Sequence, residues 1–243
     1  MAKHGKKYRE AAEKIDRDKL YGPKAAFTLL KEVTKTAYDP TVDCAFRLGV
    51  DPRKADQMVR GAVSLPHGIG KTATVAVVAG GAKVAEARDA GADHVGGDDL
   101  VEQLSSGELI DEIDAIIATP DMMGKLGRLG KVLGPRGLMP NPKSGTVTMD
   151  VAKAVQEIKA GRVEYRTDRN GNVHAVLGKA SFSAEQLTEN YAAILDEIIR
   201  ARPAAAKGRY IRNIAVSTSA SPSIPLDPSK SRDLLADEDE ESA

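Results

Sequence analysis

The middle of the chain alternates apolar strands with short helices, and this alternation restricts the possible folds more than any other feature. The sequence TATVAVVAG, from Thr72 to Gly80, predicts a buried strand, and residues 81–91 predict a short helix. The strand pattern at 114–119 and the helix pattern at 120–130 repeat this order. Buried strands joined by helices are typical of a parallel sheet that is covered on both faces. This segment is therefore predicted to form a small doubly wound α/β domain over residues 69–160.

The two ends of the chain have a different pattern. Helices are predicted there at 6–16, 23–36 and 183–201, the last with Ser183 and Gln186 as a capping box, and a further helix at 149–161 closes the α/β segment. Strands are predicted at 41–50, 62–66, 162–167, 173–182 and 209–219. The turn pair Asn170-Gly171 predicts that 173–182 is the hairpin partner of 162–167. The Pro- and Ser-rich stretch 221–231 is predicted to lack regular structure.

Neither end has enough strands and helices for a stable sheet by itself. We therefore predict one discontinuous antiparallel α+β domain, built from residues 1–68 and 161–232, into which the α/β domain is inserted. The chain would cross between the two domains twice, near 67–71 and near 158–162, and a double crossing favours a hinge.

Charge divides the chain in the same way. The formal net charge is zero, but residues 1–70 hold 14 Lys and Arg against nine Asp and Glu. Residues 161–232 hold 11 against seven, whereas residues 71–160 hold 10 against 13. Residues 233–243 carry six acids and no base, and are predicted to be a disordered acidic tail. Because an electrostatic field acts locally, the basic ends matter although the sum is zero.

Composition argues against several classes of protein. No apolar run approaches the roughly 20 residues that span a bilayer, and the N-terminus lacks the apolar core of a secretory signal. Cys44 is the only cysteine, which fits a cytoplasmic location and predicts a small buried side chain. The four histidines do not share ligand spacing, and no nucleophile motif is present. We expect no membrane contact, no metal, no catalytic residue, no cofactor and no small-molecule substrate.

The stretch HGIGKT, residues 67–72, resembles the end of a phosphate-binding loop. Such a loop has its first glycine five residues before the second and opens a helix. Leu65 stands at the first glycine position, and a strand pattern follows Thr72. A second candidate, Gly80-Gly81, does lie between a strand and a helix but lacks the three-glycine fingerprint. A nucleotide-dependent enzyme that uses the α/β domain therefore remains only the alternative hypothesis.

The stretch GKVLGPRGLMPNPKSG, residues 130–145, is the most unusual in composition. Glycines permit close backbone approach and prolines fix the path of the chain. Arg136 and Lys143 on such a loop have the charge to meet phosphates. The other interpretation is a long structural loop that braces the inserted domain, and composition alone does not decide between them.

The block GKLGRLGKVLGPRGLMPNPKSGTVT, residues 124–148, closely resembles the signature of the bacterial large-subunit ribosomal protein L-one family. Further blocks resemble the family at 41–71, 90–97, 118–127 and 158–182. The resemblance implies a discontinuous RNA-binding domain with an inserted three-layer, Rossmann-like α/β domain. It also implies a structural constituent of the large ribosomal subunit that binds large-subunit rRNA as the mobile stalk near the tRNA exit site. Members assist release of deacylated tRNA from that site and repress translation of their own operon mRNA.

The resemblance also implies where RNA binds. The first strand region and the end of the last strand carry Tyr38, Thr41, Asp43, Ser217, Thr218 and Ser219. The hairpin block adds Arg166, Asp168, His174, Lys179 and Ser181. Hydroxyl and carboxylate groups can bond ribose 2′-OH groups and base edges, while lysines and arginines bind phosphates. In the inserted domain, Arg136 and Lys143 become candidates for a loop that faces tRNA.

Two positions depart from the family pattern. Tyr38 stands where Phe is common. After the last strand the family pattern Thr-Thr-Met-Gly is replaced by Thr218-Ser219-Ala220-Ser221, which bears on the RNA contact and most of all on regulation of the messenger. A non-ribosomal RNA chaperone is a third hypothesis, and it predicts binding without preference for one RNA fold.

Overall fold

A computed structural model describes residues 5–81, 83–107 and 109–228, and the side chain of Lys143 lies outside what it describes. The helices are α1 (Lys6–Glu13), α2 (Pro23–Val33), α3 (Lys83–Asp89), α4 (Asp98–Ser106), α5 (Met123–Leu126), α6 (Gly130–Leu133), α7 (Val151–Lys159) and α8 (Ala184–Arg200). The strands are β1 (Thr41–Leu48), β2 (Arg60–Ser64), β3 (Val75–Val78), β4 (His94–Gly96), β5 (Ala115–Ala118), β6 (Arg162–Arg166), β7 (Asn172–Lys179), β8 (Ile211–Thr218) and β9 (Ile224–Leu226).

These elements form two compact units. The terminal unit consists of the described residues up to Gly70 and from Val163 onward, and the inserted unit runs from Lys71 to Arg162. The sequence-based domain boundaries, at 68/69 and 160/161, lie two residues from these divisions. The tail predicted to be disordered, 233–243, lies outside the described residues.

The inserted unit is built on a parallel sheet with the strand order β4-β3-β5. Successive side chains of β3 point to opposite faces, as the two-residue period of a strand requires. Val75 and Val77 join a cluster with residues of α3 and α7, whereas Ala76 and Val78 join a cluster with residues of α4, α5 and α6. The predicted parallel sheet with helices on both faces, in three layers, is therefore confirmed.

The single helix predicted at 120–130 is wrong. The structure has short pieces of 3-10 helix at Pro120–Met122 and Gly127–Leu129, alternating with the one-turn helices α5 and α6. Glycines at 124, 127 and 130 lower helix propensity in this stretch, so it does not continue as one regular helix.

The terminal unit is built on an antiparallel sheet with the strand order β7-β1-β8-β9. One face of this sheet packs against α2 and α8 around a single apolar core, which includes Phe27, Phe46 and Tyr191. The capping box predicted for α8 is present, because Ser183 Oγ accepts the N–H of Gln186 at 3.1 Å and Gln186 Oε1 accepts the N–H of Ser183 at 2.9 Å. The mixture of antiparallel α+β and parallel α/β structure is confirmed.

The predicted hairpin pairing of 162–167 with 173–182 is wrong. β6 pairs with β2 in a separate two-stranded sheet, and β7 pairs with β1. Among the described residues, the two segments share no ladder and only one isolated antiparallel bridge, between Thr167 and Val173. The turn itself forms, with Gly171 at φ +83°. A turn signal is local, and it does not determine which distant strand each arm joins.

The stretch 221–231 is also more regular than predicted. Residues Ile224–Leu226 form the edge strand β9, with Leu226 opposite Ile214 of β8. Pro225 is tolerated because an edge strand does not need every N–H for a ladder. Its carbonyl accepts the N–H of Tyr21 at 3.1 Å, which ties the edge to the chain before α2.

Candidate RNA interface

The central strand β1 separates an apolar face from a polar one. Its buried residues are Val42, Cys44, Phe46 and Leu48, and they belong to the core of the terminal unit. The alternate residues, Thr41, Asp43, Ala45 and Arg47, are half-buried or exposed. The sheet therefore presents one face that the helices α2 and α8 do not bury.

Strand register brings several of the predicted residues together on that face. Thr41 lies opposite Lys179, whose Nζ donates a hydrogen bond to Thr41 Oγ1 at 3.0 Å. Asp43 lies opposite Ser217 of β8. His174 of β7 is exposed and, with Lys179, acts electrostatically on Asp43. We call these five residues the polar row.

The carboxyl group of Asp43 has a raised pKa. Partial burial raises its pKa above the ordinary 3.8, and the positive charges of His174 and Lys179 offset only part of this effect. The folded protein therefore holds the proton of Asp43 more tightly than the unfolded chain does. This group favours folding most at acidic pH, and its contribution is lost as the pH rises through the folded-state pKa.

We expect Asp43→Asn to raise the free energy of unfolding at pH 7, because the neutral amide avoids the cost of burying an ionised carboxylate. The gain should shrink as the pH falls through the raised folded-state pKa of Asp43, where the wild-type carboxyl takes up its proton. Denaturant unfolding at pH values from about 4 to 7 measures this difference. The exposed Asp56, changed to Asn, controls for loss of one negative charge. A gain that does not depend on pH would contradict the explanation.

Thr218, the last residue of β8, and the residues that follow it face different directions. Thr218 lies on the inner face at 4% exposure, with its Oγ1 3.5 Å from Thr34 Oγ1. Ser219 is exposed, and its N–H donates to the carbonyl of Thr41 at 3.2 Å. Ser221, one of the residues that depart from the family pattern, accepts the N–H of Thr218 on its Oγ at 2.9 Å. The substituted segment thus closes the turn after β8 with a hydrogen bond from the Thr218 backbone to the Ser221 side chain.

Tyr38 and Ser181 lie on the connections next to this end of the sheet. Tyr38 is 60% exposed, and its carbonyl accepts a hydrogen bond from Thr36 Oγ1 at 2.7 Å. Ser181 is exposed but already engaged, since its N–H and its hydroxyl both donate to the carboxylate of Asp39, at 2.9 and 2.8 Å. Sequence reasoning missed Asp39, which holds the turn after β7 against the segment before β1.

Asp168 contacts the polar row, whereas Arg166 lies in the other sheet of the terminal unit. Burial tends to raise the pKa of Asp168, but hydrogen bonds from Asn172 and Asn170 lower it overall. Its Oδ2 lies 3.6 Å from Nε2 of His174, so it links the turn to the polar row. Arg166 is exposed at the end of β6, in the two-stranded sheet, and is not part of the row.

The Gly- and Pro-rich loop of the inserted unit braces that unit. Leu138 and Met139 pack against its apolar cluster, and Thr146 Oγ1 accepts the N–H of Asn141 at 2.8 Å. Arg136 forms an ion pair with Asp111, so its charge is partly neutralised. The side chain of Lys143 lies outside the described part. These contacts favour the structural interpretation of the loop.

The HGIGKT stretch is a structural crossing and not a phosphate loop. Gly68 and Gly70 have φ values of +65° and +73°, and the next regular element is the strand β3. Lys71, which would contact the phosphate in such a loop, pairs with Asp114 at 2.7 Å. Buried Asn190 of α8 accepts the N–H of His67 and donates to the carbonyl of Gly68. The other candidate, Gly80-Gly81, precedes α3, a helix of only seven residues.

Within 5–81, 83–107 and 109–228, no helix has both the length and the apolar character to cross a membrane. The same part of the chain holds no group of three or more His, Cys, Asp or Glu residues arranged to bind a metal ion.

Comparison with known proteins identifies the family. Residues 30–222 match the family model described as the ribosomal protein L1p/L10e family. The chain is 61% identical over 237 residues to large ribosomal subunit protein uL1 of Kitasatospora aureofaciens, covering 98% of each chain. It is 60% identical over 231 residues to the protein of that name from Thermobifida fusca (strain YX), covering 95% of this chain and 97% of the relative. The chain therefore belongs to the ribosomal protein L1p/L10e family, whose members are structural ribosomal proteins and not enzymes.

Proposed function

We propose that this chain is a structural constituent of the large ribosomal subunit and binds large-subunit rRNA through the polar row of its terminal unit. Its relatives carry the name of a large ribosomal subunit protein over nearly their whole length, which supports the first part. The observation that carries the second part is the alternation of β1, which turns Thr41 and Asp43 away from the core beside Lys179 and Ser217.

The chemistry of the polar row suits a folded RNA. Lys179 supplies a cation for phosphate, while the hydroxyls of Thr41 and Ser217 and the carboxylate of Asp43 can bond ribose 2′-OH groups and base edges. Ser219 and exposed Tyr38 extend this surface at the end of the sheet, and Tyr38 offers a ring on which a ribose or base can pack. Thr218 supports the surface from the inner face, so its substitution tests stability as well as binding.

We expect Ser217→Ala to weaken binding of the rRNA stalk fragment roughly 2- to 10-fold, the range for loss of one hydrogen bond. Binding of an unrelated RNA of equal length should not change, because the phosphate contacts remain. A salt-series titration with both RNAs measures the effect, and Ser105→Ala, an exposed serine of the inserted unit, is the matched control. Equal binding of both RNAs by the wild-type protein would favour the chaperone hypothesis instead.

The finer roles are part of the same proposal. We propose that the chain forms the mobile stalk near the tRNA exit site, assists release of deacylated tRNA and represses translation of its own operon mRNA. A ribosomal location is cytoplasmic in bacteria. Arg136 and Lys143 are proposed to face tRNA, although the ion pair of Arg136 with Asp111 must open for that residue to bind phosphate. The messenger contact should be the most sensitive to the changed segment after Thr218.

The messenger role has its own test. Purified protein added to a cell-free translation of its own leader should reduce synthesis. Ser217→Ala should weaken this repression more than it weakens rRNA binding, so that repression is lost at protein concentrations at which the rRNA fragment is still bound. Repression that is independent of Ser217 and of the leader sequence would contradict a shared RNA site.

A further inference from the structure

Four arginines form an exposed cluster at the end of the main sheet opposite to Thr41 and Ser219. Arg47 is on β1 and Arg212 is on β8, while Arg209 lies just before β8 and Arg169 lies in the turn before β7. All four are exposed. They are not among the residues assigned to RNA binding above, and we call them the arginine cluster.

Backbone contacts hold the segments that carry these arginines together. The N–H of Leu48 donates to the carbonyl of Gly171 at 2.9 Å, and the N–H of Gly49 donates to the carbonyl of Tyr210 at 2.6 Å. Arg47 lies opposite Asn213 in the sheet. The Nε of Arg212 lies 3.3 Å from the position that a Cβ on Gly49 would occupy. The segments that carry the four arginines therefore meet at one end of the terminal unit.

The positive charge of the cluster is not neutralised by the surrounding fold. Within residues 5–81, 83–107 and 109–228, none of the four arginines forms an ion pair. The acids on the same segments are Asp51 and Asp168, which accept backbone N–H groups of their own turns and, in the described part of the chain, pair with none of the four arginines, so four positive charges there face two negative ones. Uncompensated positive charge at one end of a unit attracts polyanions.

The end of the chain leaves the sheet on the side of this cluster. β9 runs antiparallel to β8, with Ile224 opposite Val216 and Leu226 opposite Ile214. Going forward along β9, the chain therefore moves toward Arg212. Residues 229–243 follow, and all six acids of the tail lie within 233–243. An extended chain spans at most about 3.5 Å per residue, so the acids can reach any part of the cluster.

We propose that the acidic tail of this chain, residues 233–243, binds the arginine cluster. The tail is an intramolecular polyanion, and its tether keeps its effective concentration near the cluster at about the millimolar level. By occupying the cluster it excludes nucleic acid that would bind there through phosphate charge alone. Specific RNA would then bind the polar row, whose Thr41, Lys179 and Ser217 lie toward the other end of the sheet.

A spin-label experiment on the full chain tests the contact without RNA. Ser242→Cys carries a nitroxide, while Cys44, the natural cysteine, is buried and protected from labelling. We expect broadening of the amide signals of Arg47, Arg169 and Arg212 but not of Ser181, which follows β7 at the other end of the main sheet. Replacing the six acids by Asn and Gln, or adding about 1 M salt to shorten the Debye length to about 3 Å, should abolish it. No broadening, or equal broadening with the neutral tail, would overturn the proposal.

A binding experiment tests the consequence. The neutral-tail protein should bind an unrelated RNA several-fold more tightly than wild type, and this gain should vanish when Arg47→Gln and Arg212→Gln are also present. Arg88→Gln, which removes an exposed arginine of the inserted unit, should leave the gain intact. A gain that survives loss of the cluster arginines would refute the masking role. Because the spin-label readout contains no RNA, failure of the rRNA-binding proposal would not decide this one.

Discussion

Truncation of Tyr191 to alanine is expected to reduce the free energy of unfolding of the terminal unit by about 3–5 kcal/mol. Tyr191 is fully buried on α8. Its ring stacks on Phe46 of β1 with centroids 6.0 Å apart and meets Phe27 of α2 edge-on at 5.9 Å. The truncation removes the side chain that joins the sheet to both helices and leaves a cavity that the surrounding core fills only in part.

Tyr191→Phe is the matched control, and it separates packing from polarity. The Tyr191 hydroxyl has no hydrogen-bond partner among the described residues, and burial raises the pKa of its phenol well above the ordinary value. Removing that hydroxyl keeps the ring contacts, so we expect stability to be unchanged or increased by about 1 kcal/mol. A loss as large as that of the alanine variant would show that the hydroxyl, and not the ring, holds the core.

Tyrosine fluorescence during denaturant unfolding measures the stability of the terminal unit in both variants. The chain has no Trp, and its six tyrosines, at positions 8, 21, 38, 165, 191 and 210, all belong to the terminal unit. The signal therefore reports on that unit even where the two units unfold in separate transitions.

Asn190→Ala is expected to cost about 2–4 kcal/mol, the second-largest effect. Asn190 is fully buried and serves three backbone groups at once. Its Oδ1 accepts the N–H of His67 at 3.1 Å, and its Nδ2 donates to the carbonyls of Gly68 and Leu177, at 3.0 and 2.7 Å. Alanine leaves these groups without their partner, and burial without a partner is the costly part.

Hydrogen exchange gives this prediction a local readout. The amide of His67 should lose protection in Asn190→Ala well before the rest of the terminal unit does. Asn213→Ala, an exposed asparagine of the same unit, should change neither stability nor exchange by a comparable amount. A cost below about 0.5 kcal/mol for Asn190→Ala would mean that solvent replaces its hydrogen bonds and that the site is not closed.

Sequence patterns located the elements better than they located the partners of those elements. The period-two alternation of 41–50 and the apolar run at 72–80 both correspond to strands, β1 and β3. The Asn170-Gly171 signal found a real turn but led to the wrong pairing of β6 and β7. The short strand β9 was missed because a Pro- and Ser-rich segment has no strand pattern of its own, and pairing with β8 is what makes it regular.

The candidate site shows the same division. The resemblance supplied the residues, and the register of β1 with β7 and β8 explains why Thr41, Asp43, Lys179 and Ser217 lie together. The two-residue period of β8 places Thr218 on the face of Ile214 and Val216, but the local sequence does not signal its contact with Thr34 or the way Asn190 anchors the HGIGKT stretch. Both depend on packing between segments more than 100 residues apart along the chain.

What the sequence by itself determined was the set of local preferences: which stretches are helical, which are apolar strands, which family the chain resembles and where its charge lies. The helix and strand preferences follow from the few residues around each position, through side-chain periodicity and caps, whereas the resemblance rests on matched blocks of sequence. The tertiary structure alone decided strand order, which face each residue presents and which charges remain uncompensated. Those properties arise because a sheet joins segments that are distant in the chain, and the free energy of each pairing depends on all the others.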